Sequence, residues 1–582
     1  MLQQARAWLS ECADYHGLCE GGTHDWLPTR LIYVGDDETS PRLCLPGEVP
    51  MSSHYVALSH CWGAGPSLKL RRSNLDTLRV TLPMSEIPKS FMDALMITRG
   101  LGYKFLWIDS LCIIQDNEYD WAEECSRMRL VYENAVCTIS ALDSRNSRGG
   151  CFGDRDPRYL QPPTVQTYWT NRANGLFWCA NPQHLWGRAV SESALYRRGW
   201  VLQEQVLSRR ILHFSKHMVF WECRSKRASE VEPDGLQTLQ SPTPSISQMV
   251  ASSKDGYDLW RTLVIKYSKA QLTYGRDKLV AISGIARMIH GILAQTGSSP
   301  VSYHAGLWSP NLASQLLWDI PAEARPPPTQ PKRYRAPTWS WASIDGEVSL
   351  PTAWEDRWVV VQSVVPKVVP LGRDPFQQVQ SASLEITGYL WKARNVPPIS
   401  RGARNMHVYY GWDNGSQVFD PIFAPGTSLY LLPIRGAKPL PLADADAMYE
   451  LASGLMVVPC DNTIGAFRRI GIIRVYGRAE VRRLVSEQRT VDGNCSRCMR
   501  STGCLSGVIR LFSARGRTND ANCPRCSDDY TVFTNLADYF WSNKTYFAPL
   551  ESGEARALRL SPKRTIFDDN RLLHWTYRIT LV

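Results

Sequence analysis

Two short apolar runs in this chain end abruptly in reactive side chains. Tyr55-Val-Ala-Leu-Ser59 runs into His60-Cys61-Trp62, and Phe105-Leu-Trp-Ile108 runs into Asp109-Ser110. Imidazole, thiol, carboxylate and hydroxyl are the groups of acid–base and nucleophilic chemistry. A Cys61 nucleophile would need His60 as a base within hydrogen-bond reach and Asp109 to orient it. Neighbours in a strand point to opposite faces, so His60 and Cys61 do not pair readily, and a structural histidine beside a buried thiol is the simpler reading. Asp109 either caps the turn that follows it or lines a site.

A third block, Arg198-Gly-Trp-Val-Leu-Gln-Glu204, also sets polar groups in apolar context. Its Glu204 either pairs with Arg198 or reaches a ligand. Glu124 falls on the shoulder of a helical apolar stripe, about 60° from its centre at roughly 100° per residue. A carboxyl there is partly desolvated, which raises its pKa and suits acid–base work, unless it is a salt-bridged boundary residue. The catalytic candidates are therefore Glu124, Glu204 and Asp109. The ligand-binding candidates are His60, Cys61, Trp62, Ser110, Arg198 and Trp200.

Cysteine spacing adds metal candidates. Cys495-x2-Cys498 and Cys523-x2-Cys526 form two knuckles with Cys504 nearby, as in a zinc ribbon whose four thiolates hold a tetrahedral ion. The segment between them is Arg- and Ser-rich, and a disordered insertion with incidental cysteines is the other reading. Cys12-x3-His16-x2-Cys19 offers only three ligands and is read as structural, without metal. No Walker loop, G-x-G-x-x-G or His-Glu-x-x-His pattern occurs.

The elements needed to position these groups follow from periodicity. A helix is expected over about Gln3–Tyr15, then a strand over Thr29–Val34. Residues 55 to about 145 read as β-α-β-α-β. The strands are Tyr55–Ser59, Lys104–Ile108 and Val136–Ser140. One helix starts near Ser85 with Pro88 in its first turn, and a second spans about Tyr119–Ala135. In the second, Trp121, Cys125, Met128, Tyr132 and Ala135 share a stripe. Alternation of this kind implies a parallel sheet with right-handed crossovers, whose ligands sit outside the carboxyl ends of the strands. His60, Cys61, Asp109, Ser110, Asp143 and Ser144 would then share one edge.

Further on, Arg198–Arg209 reads as a turn and short helix, with a strand pair at Ile211–Phe214 and Met218–Cys223. The expected organisation is an α/β extension (1–54), a parallel α/β domain (55–205), and a strand pair, polar loop and helical region (206–330). A β-rich domain (331–582) follows, with a Cys/Arg-rich insertion near 490–530.

With 582 residues, the chain is too long for a single core. Its 44% hydrophobic and 21% charged content is that of a globular protein, and most of its 21 tryptophans are assigned to core packing. A net charge of +11 over this length is a modest bias and no nucleic-acid signature. Twelve arginines and no lysine lie between Arg468 and Arg517, read as a solvated surface or loop with an anionic partner patch as the alternative. The amino terminus lacks the pattern of a signal peptide, and no apolar window is long enough to span a membrane. The expected location is cytoplasmic, with the 16 cysteines reduced or bound to metal.

In order, Tyr55 to Gly63, Leu106-Trp-Ile-Asp-Ser-Leu-Cys-Ile-Ile-Gln115, Trp121 through Met128 to Tyr132 and Ala135, and Arg198-Gly-Trp-Val-Leu-Gln-Glu204 resemble the sequence blocks of the fungal heterokaryon-incompatibility (HET) domain. Leu27-Pro-Thr-Arg-Leu-Ile32, Gly306-Leu-Trp308 and Pro337-Thr-Trp-Ser-Trp-Ala342 resemble flanking parts of large HET-domain proteins. The resemblance implies self/non-self recognition and programmed cell death after fusion of unlike cells, with a protein from an incompatible strain or a second copy as partner. HET domains are remotely similar to Toll/interleukin-1-receptor (TIR) domains, which implies a TIR/flavodoxin-like fold. Some TIR domains cleave NAD through a helix-borne glutamate. By that implication NAD is a substrate candidate, and Glu124 or Glu204 the candidate acid.

Overall fold

A computed structural model describes residues 1–351 apart from short stretches, the longest being 168–174, 179–185 and 237–243. It then describes 359, 361–388, 390–393, 406–412, 429–436, 448–460, 465–478, 547–549, 562–567 and 573–581. The chain divides into two compact units: residues 1–260 with 270–293, and residues 261–269 with 294–582. Cys495, Cys498, Cys504, Cys523 and Cys526 lie outside the described residues, as do the arginines from Arg482 to Arg517.

The first unit is a mixed α/β structure around an eight-stranded sheet. Its strands are β1 (Leu31–Tyr33), β2 (Arg42–Cys44), β3 (Tyr55–Ser59), β4 (Phe105–Ile108), β5 (Cys137–Ala141), β8 (Arg210–Phe214), β9 (Val219–Cys223) and β10 (Arg227–Ser229); a separate hairpin holds β6 (Thr164–Thr167) and β7 (Gly175–Trp178). The spatial order is β10-β9-β8-β5-β3-β4-β1-β2. The central four, β8-β5-β3-β4, are parallel, and antiparallel strands extend both ends. Strand β3 is buried along its whole length, which is why it reads as an unbroken apolar run rather than an alternating one.

The connection from β3 to β4 departs on one side of β3, and β5 lies on the other. That reversal is the switch point at which open α/β sheets leave a crevice. Strands β1 and β2 come from residues before 55, and β8 to β10 from residues after 205, so the sheet draws on chain outside the expected 55–205 domain.

The helices used below are α1 (Leu2–Tyr15), α2 (Leu75–Val80), α3 (Lys89–Gly100), α4 (Asp109–Cys112), α5 (Glu118–Asn134) and α6 (Gly199–Leu207). Helix α3 starts four residues later than the pattern suggests. Pro88 is extended at its N-cap (φ −62°, ψ 152°), and a turn from Pro83 to Glu86 occupies the preceding residues. Helix α5 is capped by Asn117, whose side chain accepts from the backbone N–H of Tyr119 and Asp120. Its buried face holds Cys125, Met128, Val131 and Tyr132, with Glu124 among them. Trp107 of β4 meets Tyr132 edge-on at 5.7 Å, fixing α5 against the sheet.

The second unit is β-rich. A ten-stranded, mostly antiparallel sheet includes long strands at Met448–Pro459 and Ala466–Arg478. Within this unit Trp308, Trp318, Trp339 and Trp341 are fully buried. Two of the four indoles donate to the backbone, Trp318 to Trp339 O and Trp341 to Gly306 O. The arginine-rich run begins in the strand Ala466–Arg478. There Arg468 is exposed, but Arg469 is buried and donates to Leu316 O and Trp318 O at 2.5 and 2.6 Å, with its guanidinium 3.5 Å from the Trp318 ring. Arg469 is therefore a structural cation rather than part of a solvated surface.

Candidate functional site

The carboxyl ends of β3, β4 and β5 do lie side by side, as parallel pairing requires. After β3 the chain presents His60, Cys61 and Trp62. Gly63 follows with φ +72°, and a Cβ there would sit 2.3 Å from the Cβ of Asn146. Only glycine allows this approach of the post-β3 turn to the post-β5 loop. Ser147 Oγ donates to Trp62 O across the same junction at 3.0 Å.

Asp109 starts α4 directly after β4. Its Oδ1 accepts from Ser110 N at 2.6 Å and its Oδ2 from the Trp62 indole N–H at 2.7 Å. It caps the turn that follows, and its side chain keeps 22% exposure at the edge. His60 Nδ1 lies 3.8 Å from Asp109 Oδ1, and the imidazole packs edge-on against Phe91 of α3 at 5.0 Å. Neither ring nitrogen of His60 has a hydrogen-bond partner. Burial lowers its pKa to about 4 despite the pull of Asp109, with Arg198 acting in the same direction as burial, so the ring is neutral at physiological pH.

Cys61 turns the other way. It belongs to an apolar cluster with Leu142, Trp186, Val190, Leu195, Val201, Met218 and Phe220, and burial raises its pKa. A thiol held neutral in such surroundings is a small hydrophobe rather than a nucleophile. Strand alternation thus separates it from His60, as expected.

Arg198 enters α6 with its guanidinium donating to His60 O. Glu204, near the end of α6, is buried, and burial raises its pKa to about 7. The Asp109 charge pushes in the same direction, while Ser59, Arg198 and Tyr132 oppose it. Glu204 Oε2 and Ser59 Oγ nonetheless complete no hydrogen bond. Ser110 Oγ and Ser140 Oγ are buried and unpartnered as well. Ser59, His60, Ser110 and Ser140, at or just past the carboxyl ends of adjacent strands, and Glu204 of α6 therefore hold buried polar atoms without hydrogen-bond partners. Such groups are rare in a native interior, and each costs about 1–3 kcal/mol if left unmet.

Glu124 belongs elsewhere. It is buried, and burial raises its pKa, but its neighbours are Thr29, Arg30 at 3.8 Å and Arg127 at 3.7 Å. Arg30 also grips Asp120 with both contacts at 2.6 Å and donates to Cys112 O. Glu124 thus belongs, with Arg30, Asp120 and Arg127, to a charge cluster tying α5 to the segment before β1. Trp200 meets Trp121 edge-on at 6.3 Å and faces the buried carboxyl of Asp277. Asp143 is exposed and accepts from Lys216 N, serving the β8–β9 turn.

Residues 55–204 match the family model of the heterokaryon incompatibility protein (HET). This region is a HET domain. No curated protein and no solved structure matches the chain. The match ends at Glu204, the residue with the most perturbed carboxyl at the rim.

Several residues of the HET domain's rim were not legible in the sequence. Ser59 and Ser140 look like ordinary strand residues, and their unmet hydroxyls appear only once the strands are aligned. Beside them, Tyr196 Oη lies 3.2 Å from His213 Nδ1, and His213 Nε2 lies 3.0 Å from Glu222 Oε2, with both His213 and Glu222 fully buried. The signal for this network was a His and a Glu inside strands otherwise apolar. A cavity of about 760 Å³ lies not at this rim but at the opposite ends of the same strands, lined by Tyr55, Tyr103, Val136, Arg209 and Arg210 among others.

Proposed function

We propose that this protein acts in fungal heterokaryon incompatibility, recognising non-self after cell fusion and arresting or killing the fused cell. The HET domain is the executing unit, and the β-rich unit senses or restrains it through a protein partner or a second copy. The observation that carries a chemical role is the set of unpartnered buried polar atoms of Ser59, His60, Ser110, Ser140 and Glu204 at and beside the strand ends. They describe a site for a small polar ligand. Glu204, with a pKa of about 7, is poised for proton transfer near neutral pH.

The reaction proposed for it is hydrolysis of NAD, as the remote resemblance of HET to TIR domains would imply. The bond between the ribose carbon and the nicotinamide nitrogen breaks, nicotinamide leaves, and water adds to the ribose. Glu204 takes the proton that the water gives up, and Asp109 and neutral His60 line the pocket.

The test is nicotinamide release from NAD by the purified full chain, beside growth arrest on expression in a fungal host. Glu204→Gln is expected to abolish both, and Glu124→Gln, whose carboxyl sits with Arg30 and Arg127, to keep both. Killing retained by Glu204→Gln would refute a catalytic Glu204. Absence of nicotinamide release from folded wild-type protein would leave the domain a binding module for a partner.

A further inference from the structure

Away from that rim, α1 and the far side of the sheet bring together four metal-ligating side chains. Cys12 lies in the last turn of α1, and His16 is its C-cap residue (φ −103°, ψ 83°). The short 3₁₀ turn Gly17–Cys19 ends on Cys19, and Cys223 is the last residue of β9. Cys12 and His16 are four residues apart, so the end of the helix sets them on one face. The first three residues are the trio visible in the sequence. The fourth, Cys223, is 207 residues beyond His16, with its Sγ 3.4 Å from His16 Nδ1. The donor atoms of all four lie within 4.8 Å of one another, and the three cysteines are fully buried.

We propose that Cys12, His16, Cys19 and Cys223 bind one structural zinc ion, through three sulfurs and His16 Nδ1. A tetrahedron with zinc–sulfur bonds of about 2.3 Å has sulfur–sulfur edges of about 3.8 Å, so the observed spacing closes with shifts of an ångström or less. As zinc binds, three zinc–sulfur bonds form and the thiol protons pass to solvent. Neutral His16 contributes a lone pair. The complex carries one net negative charge.

The surroundings match that charge and that orientation. Arg210 Nε donates to Cys12 Sγ at 3.1 Å and its Nη2 to Cys19 O at 3.3 Å, placing a half-buried cation against the thiolates. The backbone N–H of Lys226 donates to Cys223 Sγ at 3.2 Å. His16 Nε2, the nitrogen turned away from the sulfurs, lies 3.8 Å from Glu11 Oε1. A carboxylate behind a ligating imidazole fixes its tautomer and raises its basicity. Glu11 is itself held by Lys226 Nζ at 2.7 Å. All four positions are closed by protein, as structural rather than catalytic zinc sites are. The ion would staple α1 to β9, a link that their local packing, Trp8 stacked on Trp221 at 6.2 Å, already aligns.

The test is metal analysis of the full chain purified without chelator, with variants on both candidate clusters. Wild type is expected to hold zinc. Cys12→Ser and Cys223→Ser should each lose one equivalent per chain. His16→Cys, which offers a fourth thiolate, should keep it, and the double variant Cys495→Ser/Cys498→Ser should leave that equivalent in place. If the serine variants do not fold, cobalt titration of the metal-stripped wild type and of His16→Cys decides. A tetrahedral thiolate spectrum saturating at this site, with a band shift in His16→Cys, supports the proposal. Zinc content unchanged in both serine variants, no uptake of zinc or cobalt by wild type, or a metal-free disulfide among Cys12, Cys19 and Cys223 in the intact mass would overturn it.

Discussion

Replacing Glu204 by Gln removes one titration from the buried rim, and its consequence for stability has a defined sign. In the fold burial holds this carboxyl at about 7, against 4.5 for an ordinary glutamate. Between those values the folded chain keeps a proton that the unfolded chain has lost, so wild-type stability falls as pH rises through the window. At 1.36 kcal/mol per pH unit the full effect is about 3 kcal/mol, reached above pH 7. Gln keeps the neutral shape at every pH. The variant should therefore match wild type near pH 4.5 and exceed it by about 3 kcal/mol near pH 8. For a domain of roughly this size that is about 6 °C in melting midpoint. His60, held at about 4 by burial, gives the opposite slope below 6.5, but it is present in both proteins and cancels in the difference. The assay is the melting midpoint of both full-length proteins at half-unit steps of pH, followed by the near-ultraviolet signal of the first unit's tryptophans. A difference that stays constant from pH 4.5 to 8 would mean that Glu204 titrates normally, and the argument for its role would fail with it.

Two further substitutions probe how the rim and its neighbours are built. Arg30→Met should destabilise the first unit by about 3–5 kcal/mol, because it strands the buried carboxyl of Glu124 and the half-buried one of Asp120; urea unfolding at pH 7 measures it, and adding Asp120→Asn should recover part of the loss. Gly63→Ala should cost about 2 kcal/mol or more from the left-handed backbone and the clash with Asn146, and should lower nicotinamide release further than the melting midpoint alone accounts for, since it displaces Trp62 from Asp109.

Much of the first unit was legible because its signals are local. A strand buried on both faces must be apolar throughout, and a helix lying on it must repeat its apolar residues at helical spacing. Tyr55–Ser59 and the Cys125–Met128–Tyr132 stripe therefore announced themselves. Parallel pairing then followed from alternation, and with it the shared edge for His60 and Asp109. The later start of α3 was less legible, because Pro88 fits a cap as well as a first turn.

Other features depend on which distant residues meet. Glu124 and Glu204 read alike in sequence, each a glutamate in an apolar helical context. Only packing decided that Arg30, from before β1, surrounds the first with cations, whereas the second is left with an unpartnered oxygen among Ser59, Tyr132 and Asp109. The segments before 55 and after 205 read as strands, but which strands they pair with in the sheet carries no local pattern. The fourth ligand of the Cys12–His16–Cys19 cluster arrives from β9 for the same reason. Sequence spacing sets periodicity and neighbours along the chain, but desolvation and charge at a site are sums over everything the folded chain brings near it.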